Sequence, residues 1–441
     1  MNGMHADSSN QGTMFSARVV NTVSVVASLW VCVSLEPEAF GEANRAGGLG
    51  TPPTATAGRS LGTELQANAA PNAVRGRLLG QFEGLLNDRA KLQKLVQTQS
   101  AKQAPEGDIF PYLLAAHAYT NLALEDAELK PQAAKRIAQL IDLATPAVIR
   151  KVRPPGGKLE NMGEFNGHGT YLGQLNLALA CYRLAGGDNR YEQLHKALSS
   201  VLHEELVRLS GKPLRSYPDL LWPFDTVPAL LSLHLRDQQT GKAGARGVIR
   251  DHLKWIQQNG TDSATGLPYS RLNLATLRPI RGPRGCELGW RICLLANLDA
   301  PYARRMYDSF VKAFWLDRKV ISGFAEWPGG RGKADLDSGP IVQGIGMSAT
   351  GFGLGAARAT GDSRRFQQLL DQLPTVKAML SAMAVKDART GQLTVARLMT
   401  YHPEYVTGSL LGDAGLFYCI TWRRWSKTGS AGRHTHGSVP R

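Results

Sequence analysis

The sequence predicts an all-α protein, an (α/α)6 barrel in which six inner and six outer helices form a toroid with long loops at one mouth. Three observations carry this. A unit of roughly 50–60 residues recurs along the body. Each unit pairs a small-residue helix, apolar nearly all round, with an amphipathic helix across a Gly/Asp break. A lone amphipathic stretch before the first unit supplies the outer helix that the last unit lacks, so the ring can close.

That stretch is 74–96. The first unit pairs 109–124 with 131–149. The clearest pairs 168–184 (HGTYLGQLNLALACYRL) with 190–209 across Ala185-Gly186-Gly187-Asp188. Its first helix is apolar on every side, as a buried helix is. Its partner spaces Leu194, Leu198, Val201, Leu202 and Leu206 along one helical face. The later units are 223–235 with 245–258, 287–296 with 301–316, and 341–359 with 363–383, and 410–425 is the sixth inner helix. The competing reading is an open α-solenoid, but neither end offers a polar capping repeat.

Outside the body, 1–40 read as a signal peptide or membrane anchor. The uncharged run 19–35 (VVNTVSVVASLWVCVSL) lies between Arg18 and Glu36-Pro37-Glu38 and has the length of a leader core or a marginal span. Gly41-Glu42-Ala43 offers a small-x-small cleavage site, and a start at Met14 would give a more orthodox leader. Both readings export the body to the periplasm or beyond, or anchor it through 19–35. The Gly/Ala/Thr/Pro-rich range 41–73 reads as a disordered linker and 427–441 as a disordered basic tail, leaving 74–426 for the barrel.

The 441 residues are 43% hydrophobic and 20% charged, which excludes collagen, coiled coil and a multi-span transporter. A net charge of +15 invites an anionic partner. The basic residues are scattered, however, with no aromatic-interleaved stripe, so nucleic acid is not expected. The cysteines are Cys32, Cys181, Cys286, Cys293 and Cys419, without a CxxC pair. No metal site and no nucleotide cofactor are expected. The expected partner is a small-molecule substrate, with membrane association through 19–35 and self-association as further expectations.

Long segments at 153–167, 211–222, 260–284, 320–339 and 385–409 all lead into inner helices, so they decorate one end of the barrel. That mouth is the expected ligand site. His168 in Asn166-Gly167-His168-Gly169 opens an inner helix with Tyr171 one turn on, and an imidazole there suits proton transfer. Tyr217, Asp219, Trp222 and Asp225 cluster in SYPDLLWPFD; Asp225 also suits a helix N-terminus, whereas Asp219 has no such structural role. Tyr269 follows, with Arg271, Arg278, Arg281, Arg284 and Arg291, a run suited to an anion or to a solvated surface. Cys286, Glu287, Glu326, Trp327 and Asp337 complete the set lining the mouth, where burial can raise one carboxyl pKa and leave another acidic.

With Gly167-His168, Tyr217-Pro218 and Asp335-x-Asp337-Ser338-Gly339-Pro340 in view, the chain from about Asp108 to Trp422 resembles the linalool dehydratase/isomerase family. The resemblance implies an (α/α)6 barrel and cofactor-free hydration, dehydration or isomerisation of a small terpene alcohol by His, Tyr, Asp and Cys side chains. It matches His168 to the family histidine, Asp108 and Tyr112 to an amino-terminal aspartate and tyrosine, and Tyr269 to a later tyrosine. Asp219 stands where the family has a cysteine, which argues against thiol chemistry and against linalool as substrate.

The leading functional expectation is a cofactor-independent lyase or isomerase acting on a small alcohol such as a terpenoid. His168 and Asp219 would trade protons, and Tyr171, Tyr217 and Tyr269 would orient the hydroxyl. One alternative is a glycoside hydrolase or sugar-binding barrel using paired carboxylates drawn from Asp219, Asp225, Glu287 and Glu326. The other is a non-catalytic binding protein.

Overall fold

A computed structural model describes residues 61–335, 337–390 and 401–426. Helix α1 (Leu61–Asn87) is followed by the pair α2 (Phe110–Glu125) and α3 (Lys130–Val152), then by α4 (Gly169–Leu184) and α5 (Glu192–Leu209). The next pairs are α6 (Thr226–Thr240) with α7 (Ala245–Asn259), and α8 (Gly285–Leu295) with α9 (Ala300–Phe314). They are followed by α10 (Met347–Thr360), α11 (Ser363–Asp371), α12 (Leu373–Thr390) and α13 (Leu410–Thr421).

The ring is closed. Among the described residues α2 packs on α4, α4 on α6, α6 on α8, α8 on α10, α10 on α13, and α13 returns to α2. Outside this circle α3 bridges α2 and α4, α5 bridges α4 and α6, and α9 bridges α8 and α10. Helix α7 backs α6, α11 backs α10, and α1 reaches both α13 and α11. The chain is thus the (α/α)6 barrel that its repeat predicts, with α1 as the closing outer helix.

Burial follows the sequence pattern. Every residue from Pro111 to Ala123 in α2 and from Gly169 to Tyr182 in α4 is buried, because both sides of an inner helix meet other helices. Helix α3 instead buries Ala133, Ile137, Leu140, Ile141, Ala144 and Val148, a single helical face. Each Leu or Ile so enclosed contributes about 1.5–3 kcal/mol. Small residues let helices meet closely: a Cβ on Gly353 of α10 would lie 2.2 Å from the Phe324 ring.

The end opposite the mouth is sealed by the segment after α13. The Trp425 indole donates to Asn121 Oδ1 (2.5 Å) and its backbone N–H to Asn297 Oδ1 (2.6 Å), tying α2 to the turn after α8. The Trp422 indole donates to the Cys293 carbonyl (3.0 Å), and Arg358 Nε to the Trp422 carbonyl (2.9 Å). His117, fully buried, lies between the rings of Tyr418 and Trp425.

Four boundaries differ from expectation. The helix expected over 341–359 starts only at Met347, because 341–346 form a hairpin, β7 (Ile341–Val342) with β8 (Ile345–Gly346). Gln343 and Gly344 both take positive φ at its two-residue turn, which matches strand twist and cannot continue a helix. The range 363–383 splits into α11 and α12 because Pro374 lacks the N–H that a continuous helix would use. The linker expected over 41–73 ends earlier, since α1 already begins at Leu61. Short hairpins, β1 (Thr261–Asp262) with β2 (Leu267–Pro268), β3 (Arg271–Leu272) with β4 (Pro279–Arg281), and β5 (Trp315–Asp317) with β6 (Ser322–Phe324), stiffen segments expected as loops.

No helix among the described residues is long and apolar enough to cross a membrane. The run 19–35, on which the leader and anchor expectations rest, lies outside the described residues, as do the rest of 1–60 and the tail 427–441.

Candidate active site

A cavity of about 320 Å3 opens where the inner helices begin. Segments leading into five of the six inner helices contribute to its wall, and α4 contributes Thr170. The turn before α2 brings Glu106, and Phe110 follows at the helix start. The segment before α6 brings Tyr217, Trp222, Phe224 and Asp225. Arg284, Cys286, Glu287 and Trp290 come from the start of α8, and Asp337 from the segment between β6 and β7. Met347, Thr350 and Phe352 of α10 and the 406–409 segment before α13 close the circle.

Three carboxyl groups line the cavity, and the charge of Asp225 acts on both Glu106 and Glu287. Asp225 is buried and accepts a hydrogen bond from Thr170 Oγ1 at 2.8 Å. Burial pushes its pKa up to about 6, while hydrogen bonds from Ser216 and Thr170 and the charge of Arg291 pull the other way. Burial pushes Glu106 up to about 7, with the charges of Asp225, Asp337 and Asp108 adding to the effect. No side chain among the described residues bonds the Glu106 carboxyl. Glu287 is held by Arg291 one turn on, yet its enclosure dominates and lifts it to about 7. Arg291 is itself buried and lies 5.8 Å from the Phe224 ring centre.

Aromatic faces surround these acids. Trp290 stacks on Phe352 (5.0 Å between centroids) and packs against Phe110 and Phe224. Tyr217 meets Trp222 edge-on at 5.5 Å, and its buried hydroxyl has no partner. The Ser216 hydroxyl receives the Trp222 N–H at 2.8 Å, which pins this segment beside Asp225.

Behind this wall Arg284 organises a second cluster. Its Nε donates to Glu326 Oε1 (2.7 Å), Nη2 to Asp335 Oδ1 (2.7 Å) and Nη1 to Asp337 Oδ2 (3.2 Å). Trp327 covers the guanidinium at 5.0 Å. Glu326 is fully buried and also accepts the Cys286 backbone N–H and thiol, both at 3.1 Å. Burial and the Glu326 charge push the Cys286 thiol well above its usual pKa, so it is a neutral donor. Among the described residues no group of three His, Cys, Asp or Glu could hold a metal ion.

The structure sorts the expected residues into two groups. Tyr217, Trp222, Asp225, Cys286, Glu287 and Asp337 line the cavity. His168, Tyr171, Asp219, Tyr269, Glu326 and Trp327 do not. His168 sits at the start of α4 with its ring nitrogen Nδ1 3.0 Å from Asn166 Oδ1, and burial lowers its pKa. Its flanking glycines serve packing: a Cβ on Gly169 would lie 2.5 Å from the Arg215 carbonyl, which the Gly169 N–H bonds at 2.9 Å. Asp219 is exposed in the turn that bonds Tyr217 to Leu220. Tyr171 is fully buried behind Tyr217, and Tyr269 follows β2, away from the cavity wall. Glu326 and Trp327 act one layer back, on Arg284.

Of the five arginines in the run, Arg278 is exposed and the other four are engaged. Arg284 and Arg291 are engaged by carboxylates, Arg281 lies 3.6 Å from Asp335, and Arg271 lies over Trp222. Sequence reasoning missed Glu106, Phe110, Trp290 and Phe352. Glu106 lies in the turn Pro105-Glu106-Gly107-Asp108, in the connection before the first inner helix, which was not among the segments singled out from the sequence. Asp108, its neighbour, is absent from the cavity wall.

No family model matches this sequence. Solved structures similar to it include two of one enzyme. One is an inactive variant of the GH76A α-1,6-mannanase of Salegentibacter sp. HEL1_6, in complex with α-1,6-mannotetrose. It is 12% identical, has a TM-score of 0.40, and the match covers 75% of this chain and 97% of that one. The other, the GH76A α-1,6-mannanase from the same organism, is 14% identical with a TM-score of 0.38, over 70% and 88% of the two chains. These neighbours are hydrolases, not lyases or isomerases. His168 and Asp219, the pair expected to trade protons, do not reach the cavity.

Proposed function

We propose that the protein is a glycoside hydrolase that cleaves its substrate by acid–base catalysis at the barrel mouth. The observation that carries this reading is the convergence of Glu106, Asp225 and Glu287 in one aromatic-lined cavity, with pKa values pushed to about 7, about 6 and about 7. Glycosidic cleavage needs a carboxylic acid to protonate the leaving oxygen and a carboxylate to stabilise or attack the sugar. Environments that separate two carboxyl pKa values assign those roles.

Glu106 is the proton donor: no side chain holds its anion, and at neutral pH a good fraction keeps its proton. Asp225 is the carboxylate. Thr170 fixes its oxygen and Arg291 favours its charge, so it is largely ionised at pH 7. Glu287, oriented by Arg291 in the same cavity, hydrogen-bonds a sugar hydroxyl. Trp222, Tyr217 and Trp290 present the ring faces against which the apolar side of a sugar packs.

The test is release of reducing ends from a panel of α- and β-linked oligosaccharides, α-1,6-mannan among them. Glu106→Gln and Asp225→Asn are each expected to lower kcat by about 10^2–10^4-fold on whichever member is cleaved. His168→Ala, outside the cavity, is expected to stay within about threefold of wild type. A wild-type protein that cleaves none of the panel would refute the reading, as would full activity in both carboxyl variants.

A further inference from the structure

The cavity does not end at the carboxylates. It continues past Trp290 and Phe352 into an arm between the β7–β8 hairpin and the outer helix α12. Ile321, Ile345, Met347, Leu373, Val376 and Leu380 form its wall. On α12 the wall positions, with Lys377, follow the i, i+3, i+4, i+7 spacing of a single helical face. Around the arm Ile321, Val342, Ile345 and Leu380 form an apolar cluster separate from the main barrel core.

Two of the polar side chains on this wall, Gln372 and Ser322, already have partners. Gln372 Oε1 accepts the Ser322 N–H at 2.6 Å, and Gln372 Nε2 donates to the Gln368 carbonyl at 2.9 Å. The Ser322 hydroxyl donates to Asp317 and receives Gln368 Nε2 at 3.0 Å. Lys377 is the third: its methylene stem can lie along the wall, and burial and the charge of Arg77 lower its pKa against the opposing charges of Asp413 and Glu404. A sugar placed in the arm would exchange most of its hydrogen bonds with water for apolar contact, at a cost. A hydrocarbon loses nothing there and gains contact with the wall.

We propose that the substrate is an amphiphilic glycoside, whose sugar sits among Glu106, Asp225 and Glu287 and whose hydrocarbon aglycone fills this arm. The assignment rests on the hydrolase reading above and narrows it to one substrate class. Cleavage breaks the bond between the anomeric carbon and the aglycone oxygen. Glu106 gives its proton to that oxygen, releasing an alcohol into the arm; water supplies the hydroxyl that completes the sugar, and its other proton passes to the Asp225 carboxylate.

Two measurements on the full chain separate the inference from the reading beneath it. The first is kcat/KM for a series of alkyl glycosides, from methyl to decyl, of whichever sugar is cleaved. It is expected to rise by about fourfold per methylene that enters the arm, then to level off once the arm is full. Val376→Trp, which fills the arm, is expected to collapse the octyl-to-methyl ratio by at least tenfold. The second is calorimetric titration with 1-octanol, which has no glycosidic bond. Saturable binding that Val376→Trp weakens tenfold or more supports the arm independently of turnover. Equal efficiency for methyl and octyl glycosides, or no octanol binding, overturns the inference and leaves the hydrolase reading standing. Octanol binding without cleavage of any glycoside overturns the hydrolase reading instead.

Discussion

Asp225 and Glu106 differ in what surrounds their oxygens, and that difference predicts a pH profile. Activity needs Asp225 ionised, so kcat/KM rises as pH climbs through about 6. It also needs Glu106 protonated, so the rate falls again above about 7. The two interact, so the bell-shaped curve reports the pair, with its maximum between those values. Glu106→Gln should flatten the alkaline limb of whatever activity remains, which a pH–rate series would check. Arg284 sets a stability prediction. Its removal leaves Glu326, fully enclosed, with no cation beside it. Arg284→Ala should therefore cost about 3–5 kcal/mol in urea denaturation, and adding Glu326→Gln should recover much of that loss. Among the residues singled out from sequence, the carboxylates and aromatics nearest the inner-helix starts reached the cavity. His168 did not, although it too sits at such a start. Its glycine neighbours, read as a functional environment, exist because the 215–218 segment crosses α4 at contact distance.

Two helical periods in the sequence, one for buried and one for half-buried elements, named nearly every helix. Apolar residues on all sides mark α2, α4 and α13, and a single stripe marks α3, α5 and α9. What periodicity did not reveal was the hairpin at 341–346, whose apolar residues fit either a strand or a buried helix. The contact between α10 and the β5–β6 hairpin offers a test at this scale. Gly353→Ala would drive a methyl into the Phe324 ring, which itself stacks on Phe310 at 4.3 Å. With that side blocked, overpacking should cost about 1–3 kcal/mol, visible as a lower Tm in calorimetry.

Closure of the ring is a property of the whole molecule, and it depends on both ends of the barrel sequence. Helix α1 covers α13 through the stacked Phe82 and Phe417 rings at 5.6 Å, and Trp425 locks the far end to α2 and to the turn after α8. Trp425→Ala would delete a buried indole and strand Asn121 and His117 beside a cavity. A loss of about 3–5 kcal/mol in denaturant titration is expected, with the catalytic end unchanged in substrate preference. The repeat, the pairing of helices and the single decorated mouth follow from the sequence alone, because hydrophobic periodicity is a local pattern that each element carries with it. Which carboxylates share a cavity is not local. Glu106, Asp225 and Glu287 come from three segments more than 50 residues apart, and their raised pKa values arise only when ring closure takes them out of water together. The apolar arm likewise exists only where α12 folds back over the β7–β8 hairpin, so long-range packing, and no motif, decided it.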